Sequence, residues 1–217
     1  MDECPFCSEP RRISDRTTAV AKYQYIPLEH RLRLAYAHPQ TAAKLQNYRQ
    51  KFRDPQLSSI SDVWGGSVLR SAKMRNLFEG DDDCDHAIAL QFSLDGVQTH
   101  KTGQNEIWPL ICLNLNLPLT EHFREDSILP IGIIPGPQSP SDLDSFLYPF
   151  ITEARQLSST GVRECYDGST QTYFRLRVHV VLCTGDTPAI AKLLRMKSAT
   201  ASSCCRFCNI QDSIPCT

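Results

Sequence analysis

The sequence predicts a mixed α/β fold, an α+β arrangement in which antiparallel strands share one sheet with a later parallel strand. Three observations carry this. The apolar period changes from helical to two-residue near Ala87, a strongly amphipathic helix follows three strands, and a β-branched apolar run follows that helix.

The first segment, to about Phe78, has helical spacing. Leu28, Leu32 and Ala35/Tyr36 share one face, Leu45, Tyr48 and Phe52 extend a second helix after Pro39, and Val68, Leu69, Ala72 and Leu77 suggest a third. From Arg11 to Arg53 the chain carries ten Lys/Arg against two acids, Asp15 and Glu29, a net of +8 before histidine. Such an arm suits phosphate, with Arg11, Arg12, Arg31, Arg33, Lys51 and Arg53 as candidate DNA-contacting cations; solvated helix faces explain the same charges. The acidic run "EGDDDCD" at 79–85 then divides this region from a different texture.

In the next segment Ile88, Leu90, Phe92 and Leu94 point one way, and Gln91, Ser93 and Asp95 the other. A turn around "HKTGQNE" leads to a second strand, where Ile111, Leu113, Leu115 and Leu117 alternate with Cys112, Asn114 and Asn116. The short connection favours antiparallel pairing. A third strand, "ILPIGII", closes on Pro135-Gly136-Pro137. The helix that follows has Ser139 as a candidate cap, Pro140 for its first turn and Asp142 at the positive end of its dipole. Leu143, Phe146, Leu147, Phe150, Ile151, Ala154 and Leu157 form its apolar stripe, Pro149 should kink it, and Gly161 lies beyond its end. After an irregular stretch, "LRVHVVLCTGD" reads as a buried fourth strand ending on Asp186, and Thr187-Pro188 opens a short helix through Leu193 and Leu194.

A strand reached through a helical crossover lies parallel to a strand of the same sheet. Pairing of the fourth strand with the first would set Asp95 and Asp186 side by side at one sheet edge, although they are 91 positions apart. Two carboxylates there suit Mg²⁺ or Mn²⁺ and phosphodiester chemistry. Asp before Gly is also an ordinary turn pair, and Asp before a helix an ordinary cap.

The totals exclude several classes. A net charge of −1 gives no global sign of nucleic acid or membrane, and no stretch reads as a signal peptide or a bilayer span. No serine-hydrolase elbow, P-loop or H-E-x-x-H is present. The ten cysteines therefore suggest a reducing compartment, not secretion, and metal in place of disulfides. Cys4-Pro5-Phe6-Cys7 and Cys205-Arg206-Phe207-Cys208 each supply half of a tetrahedral zinc site, a redox pair being the alternative. Cys112, Cys165 and Cys183 stand alone and read as core or surface thiols.

Taken together, "CPFC", "YQYIPLEHRLRLAY", "SLDGVQ", "NLNLPL", "GIIPGPQSPSDLDSFLYPFITEARQL" and "CTGDTPAIAKLLRMKSATASSCCRFCNI" resemble the CACTA-type (En/Spm) DNA transposases of fungi and plants, over nearly the whole chain. The resemblance implies an RNase H-like core with a DDE triad, in which Asp95 matches the first catalytic aspartate and Asp186 the second. It implies Mg²⁺ or Mn²⁺ at those aspartates, Cys205 and Cys208 as an inserted zinc pair, and Cys4 and Cys7 as a remnant knuckle. DNA element ends would be the partner in a nuclear or otherwise cytoplasmic protein without membrane contact, with homo-oligomer formation left open.

The likeness divides the chain into a basic helical segment at 1–80, a partial RNase H-like core at 81–200 and the start of a Cys-rich insertion at 201–217. The family's third carboxylate has no match. Asp212, the only acid after Asp186, lies too close to the cysteines, and a downstream histidine pair is missing. The expectation is a truncated, inactive fragment of a transposase. The rival reading is a non-catalytic zinc-dependent module that binds nucleic acid or protein.

Overall fold

The computed structural model describes residues 23–53, 60–79, 82–98, 106–136, 140 and 142–196, together with Glu3, Pro10 and Arg12. In chain order the elements are α1 (Glu29–Ala37), α2 (Pro39–Gln50), a 3₁₀ turn (Val63–Gly65), α3 (Ala72–Arg75) and α4 (Asp82–Asp85). Then come β1 (Ile88–Leu94), β2 (Val97–Gln98), β3 (Glu106–Asn114), a second 3₁₀ turn (Leu119–Glu121), β4 (Ile128–Ile134) and α5 (Leu143–Ser159). The hairpin strands β5 (Val162–Asp167) and β6 (Thr172–Leu176) precede β7 (Val178–Thr184) and α6 (Thr187–Leu193).

The main sheet is mixed. β3 lies between β4 and β1, antiparallel to both, and β7 runs parallel on the far side of β1, while short β2 pairs with the first residues of β3. The crossover from antiparallel β4 through α5 to parallel β7 is the arrangement the sequence predicts. Tyr25 bridges to Gly132 and Ile26 donates to the Ile131 carbonyl at 2.8 Å, so the chain before α1 covers part of the exposed edge of β4.

One buried cluster crosses residue 80. Leu28, Leu32, Tyr36, Ala42 and Leu45 of the first segment pack with Ile88, Leu90, Phe92 and Leu94 of β1 and with Leu147, Phe150 and Leu157 of α5. A smaller cluster of Trp64, Leu69, Phe78, Ala87, Ala89 and Leu115 fills the region at the start of β1. Between them Asn116, fully buried, accepts from the Ala89 N–H at 2.9 Å and donates to the carbonyls of Leu45 (3.3 Å) and Ala87 (3.0 Å). It joins α2, β1 and the turn after β3.

The helix boundaries follow local chemistry. α1 stops at Ala37 because His38 precedes Pro39 and is extended (ψ 115°), and Pro39 opens α2 with no N–H to lose. The N-terminus of α1 is capped from a distance: the Glu153 carboxylate of α5 accepts from the N–H groups of Leu28 and Glu29 at 3.0 Å and from the Tyr25 hydroxyl. Gly161, at φ +67°, ends α5, its N–H returning to the Gln156 carbonyl at 3.0 Å.

Several expectations change. β3 begins at Glu106, and its inward set is Trp108, Leu110 and Cys112, because Leu110 and Cys112 stand opposite Leu94 and Phe92. The Ile111–Leu113 parity expected to face the core is thus the other face, and Leu115 and Leu117 lie in the turn beyond the strand. The stretch read as irregular is the β5–β6 hairpin. Of the third predicted helix only Ala72–Arg75 forms, and Val68 is exposed. α5 is capped by Asp142, which accepts from the Ser145 N–H at 3.4 Å; Ser139 lies outside the described residues. The helix continues through Pro149, and Ile151 leaves the stripe, more than half exposed. The acidic run is tied into the fold, with Asp83 accepting from the Arg175 N–H at 2.9 Å and Asp85 pairing with Arg53 at 2.6 Å.

Candidate functional site

β1 and β7 run parallel in register from Ile88↔Val178 to Ser93↔Thr184, with an irregularity after Leu90. Carried two residues past the last pair, beyond the strand ends at Leu94 and Thr184, that register would bring Asp95 opposite Asp186. Two contacts fix the strand ends together. Gln91 Nε2 donates to Thr184 Oγ1 at 3.0 Å, and Gly185 lies so close to the Leu94 carbonyl that a Cβ there would meet its oxygen at 2.6 Å. Any side chain at 185 would push the two strand ends apart.

Both carboxylates are exposed, on opposite local scaffolds. Asp95 follows the last buried residue of β1, Leu94, and leads into Gly96. Asp186 is the N-cap of α6: its Oδ1 accepts from the Ala189 N–H at 2.7 Å, which fixes the carboxylate at the helix N-terminus. Asp186 therefore has a structural role whatever its chemical one.

Three neighbours at this edge escape a reading of the sequence. A Cβ on Gly96 would overlap the Glu106 carboxylate, and Cε2 of Trp108 lies 3.2 Å from the same point. Lys192 of α6 holds its Nζ over the Trp108 ring, 5.2 Å from the centroid. An acid, an indole and a cation thus cluster against Gly96, the residue after Asp95. The sequence shows a turn at 100–106 followed by a strand, but no register that would bring these three side chains together. Among the described residues, no three or more His, Cys, Asp or Glu side chains are grouped to hold a metal ion.

The predicted basic residues are engaged within the fold. Arg31 donates to the carbonyls of Pro27 (3.1 Å) and Ile26 (2.9 Å), and desolvation lowers its pKa. Arg33 pairs with Glu29 at 3.5 Å, Lys51 lies over the Tyr48 ring at 5.5 Å, Arg53 pairs with Asp85, and Arg12 is exposed. Arg11 and the four zinc candidates, Cys4, Cys7, Cys205 and Cys208, lie outside the described residues. Of the isolated thiols, Cys112 and Cys165 are buried, and burial pushes them up to about 12 and about 11, which makes them inert core groups; Cys183 is exposed.

A second polar centre was unexpected. Asp167, fully buried, accepts from the Ser169 N–H and hydroxyl at 2.7 Å each, from the Thr170 N–H at 3.3 Å and from Gln46, and it meets His86 Nε2 at 3.1 Å. His86 stacks on Phe174 with ring centroids 4.1 Å apart. This centre fastens the β5–β6 hairpin to α2 and to the entry of β1. The Asp167-Gly168-Ser169-Thr170 sequence carried the signal, an Asx turn between two short strands.

A family model described as Transposase family tnp2 matches residues 73–216. No curated protein matches the chain. Among the described residues no helix is long and apolar enough to cross a membrane.

Proposed function

Because the chain belongs to the tnp2 transposase family, we propose that it is a transposase-derived protein whose parent chemistry is metal-dependent DNA cleavage and strand transfer, of the CACTA type. The observation that carries this is the parallel pairing of β1 with β7, whose register leads Asp95 and Asp186 to one edge of the sheet. Three antiparallel strands followed by a helix and a strand parallel to the first also support an RNase H-like core.

Two carboxylates at adjacent strand ends fit a hard divalent cation in donor type. Asp95 and Asp186 would hold Mg²⁺ or Mn²⁺, which when bound supplies Lewis-acid activation of a water or 3′-hydroxyl toward a phosphodiester. Asp186 is oriented for this by its bond to the Ala189 N–H, and Asp95 by the strand end. No third ligand joins them in a metal-holding group among the described residues. Weak divalent-ion binding and little DNA turnover by this 217-residue chain are the expected result. Zinc at Cys4, Cys7, Cys205 and Cys208, and work in the nucleus, complete the proposal.

The test measures duplex DNA binding and Mn²⁺ binding by the purified chain and by its Asp95→Asn and Asp186→Asn variants. The wild type should bind DNA with steep salt dependence, and each variant should lose Mn²⁺ affinity. Metal binding indifferent to both substitutions would refute the site, and robust Mg²⁺-dependent cleavage would refute the low turnover.

A further inference from the structure

Resting on the DNA-binding reading just given, we propose that a second, remote pocket takes a backbone phosphate of the DNA. It lies at the entry end of β1, whereas Asp95 and Asp186 lie at the exit end, roughly 20 Å away for a seven-residue strand. Arg49, Arg53, Arg70 and Arg75 line it, with Trp64 and Phe78 among its walls.

The pocket is built around a buried cation. Arg49 is 4% exposed, and its guanidinium carbon sits 5.6 Å from the Trp64 ring centroid and 5.3 Å from that of Phe78. Its terminal nitrogens donate to the carbonyls of Ala87, Cys84 and Asp85 at 3.0–3.4 Å, which locks the group in place. Nε is buried and, among the described residues, has no hydrogen-bond partner. Burial, followed by the like charge of Arg53, lowers the Arg49 pKa, and Asp85 at 3.7 Å offsets only part of this. An anion in front of the cluster would relieve both costs.

Size and continuity select the ligand. The cavity is about 50 Å³, room for roughly three to five water-sized atoms. That suits the non-bridging oxygens of one phosphate. Arginine forks match phosphate oxygens in pairs. Arg53, which lines the pocket, is also the last residue in sequence of the basic segment that begins at Arg11, and the proposal takes an extended polyanion over a free ion. Such a ligand must compete with Glu79, which pairs with Arg75 at 2.9 Å, and with Asp85, which pairs with Arg53.

The experiment compares the wild-type chain with Arg70→Ala/Arg75→Ala and Arg70→Lys/Arg75→Lys double variants, by fluorescence anisotropy on a labelled duplex across a salt series. Melting temperatures with inorganic phosphate against chloride at equal ionic strength form the second arm. The alanine pair should bind the duplex about tenfold more weakly, with the slope of log K against log salt reduced by about one. The lysine pair should keep the slope. Phosphate should raise the melting temperature of the wild type but not of the alanine pair. Unchanged affinity and slope in a folded alanine variant would overturn the pocket while leaving the DNA-binding reading intact. Phosphate protection without a change in slope would mean a free-anion site and would also overturn the proposal. A wild-type chain that binds no duplex at low salt would instead remove the DNA-binding reading beneath it.

Discussion

Asp186 is asked to do two things, and substitution can separate them. As the N-cap of α6 it makes one hydrogen bond, to the Ala189 N–H at 2.7 Å, in a partly buried setting. Replacing an aspartate cap by alanine costs about 1 kcal/mol, within a range of roughly 0.5–2, whereas asparagine caps about as well as aspartate. For a domain of this size about 1 kcal/mol lowers the melting temperature by about 2–4 °C. Asp186→Ala should therefore melt about 2–4 °C below the wild type in EDTA, and Asp186→Asn should melt close to it. Among the described residues Asp95 accepts no comparable cap bond, and it is exposed, so Asp95→Asn should stay within about 0.5 kcal/mol. Calorimetry in EDTA, repeated with Mn²⁺, measures both roles. The wild type should gain stability from Mn²⁺, and all three variants should lose most of that gain. An asparagine variant as unstable as the alanine one in EDTA would refute the capping account. A full Mn²⁺ gain in Asp186→Asn would refute the metal account.

Asn116→Ala should cost about 3 kcal/mol in urea unfolding, since it strands the buried Ala89 N–H and removes bonds to two carbonyls; a loss below about 1 kcal/mol would show that the joint is not structural. Burial raises the Asp167 pKa, but the Ser169 hydroxyl and N–H, the Thr170 N–H and His86 outweigh it, and the net direction is downward. A carboxylate depressed in the folded state stabilises fully above its unfolded value near 3.9, and that stability is lost as pH falls through the folded value. Acid titration of stability should therefore show a loss below about pH 4 that Asp167→Asn flattens.

Strand β1 was legible from its alternation, β4 from an apolar run closed by Pro135-Gly136, and β7 from its β-branched run. α5 was legible from its caps and stripe, although which of Ser139, Pro140 and Asp142 begins it depends on geometry that composition does not encode. β3 was legible as a strand but not in its facing. Pro109 obscured its first half, and its inward set is decided by the partners Leu94 and Phe92 on β1. The β5–β6 hairpin was invisible because Arg163, Glu164 and Tyr166 are exposed, and Glu164 at φ +56° breaks the alternation. At the candidate site the parallel pairing of β1 with β7 followed from chain order and handedness. Glu106, Trp108 and Lys192 needed the register of a third strand.

The cap on α1 has a temporal consequence. Glu153 follows Leu28 by 125 residues, and a nine-residue helix is too short to persist alone in water. At a synthesis rate of about 5–20 residues per second, α1 waits roughly 6–25 s after it is made before its capping carboxylate exists. During that interval Leu32 and Tyr36 have no completed core to enter, because their partners in β1 and α5 come later in the chain. The capped form of α1 is thus a late product of the chain, completed only when α5 brings Glu153 to its N-terminus.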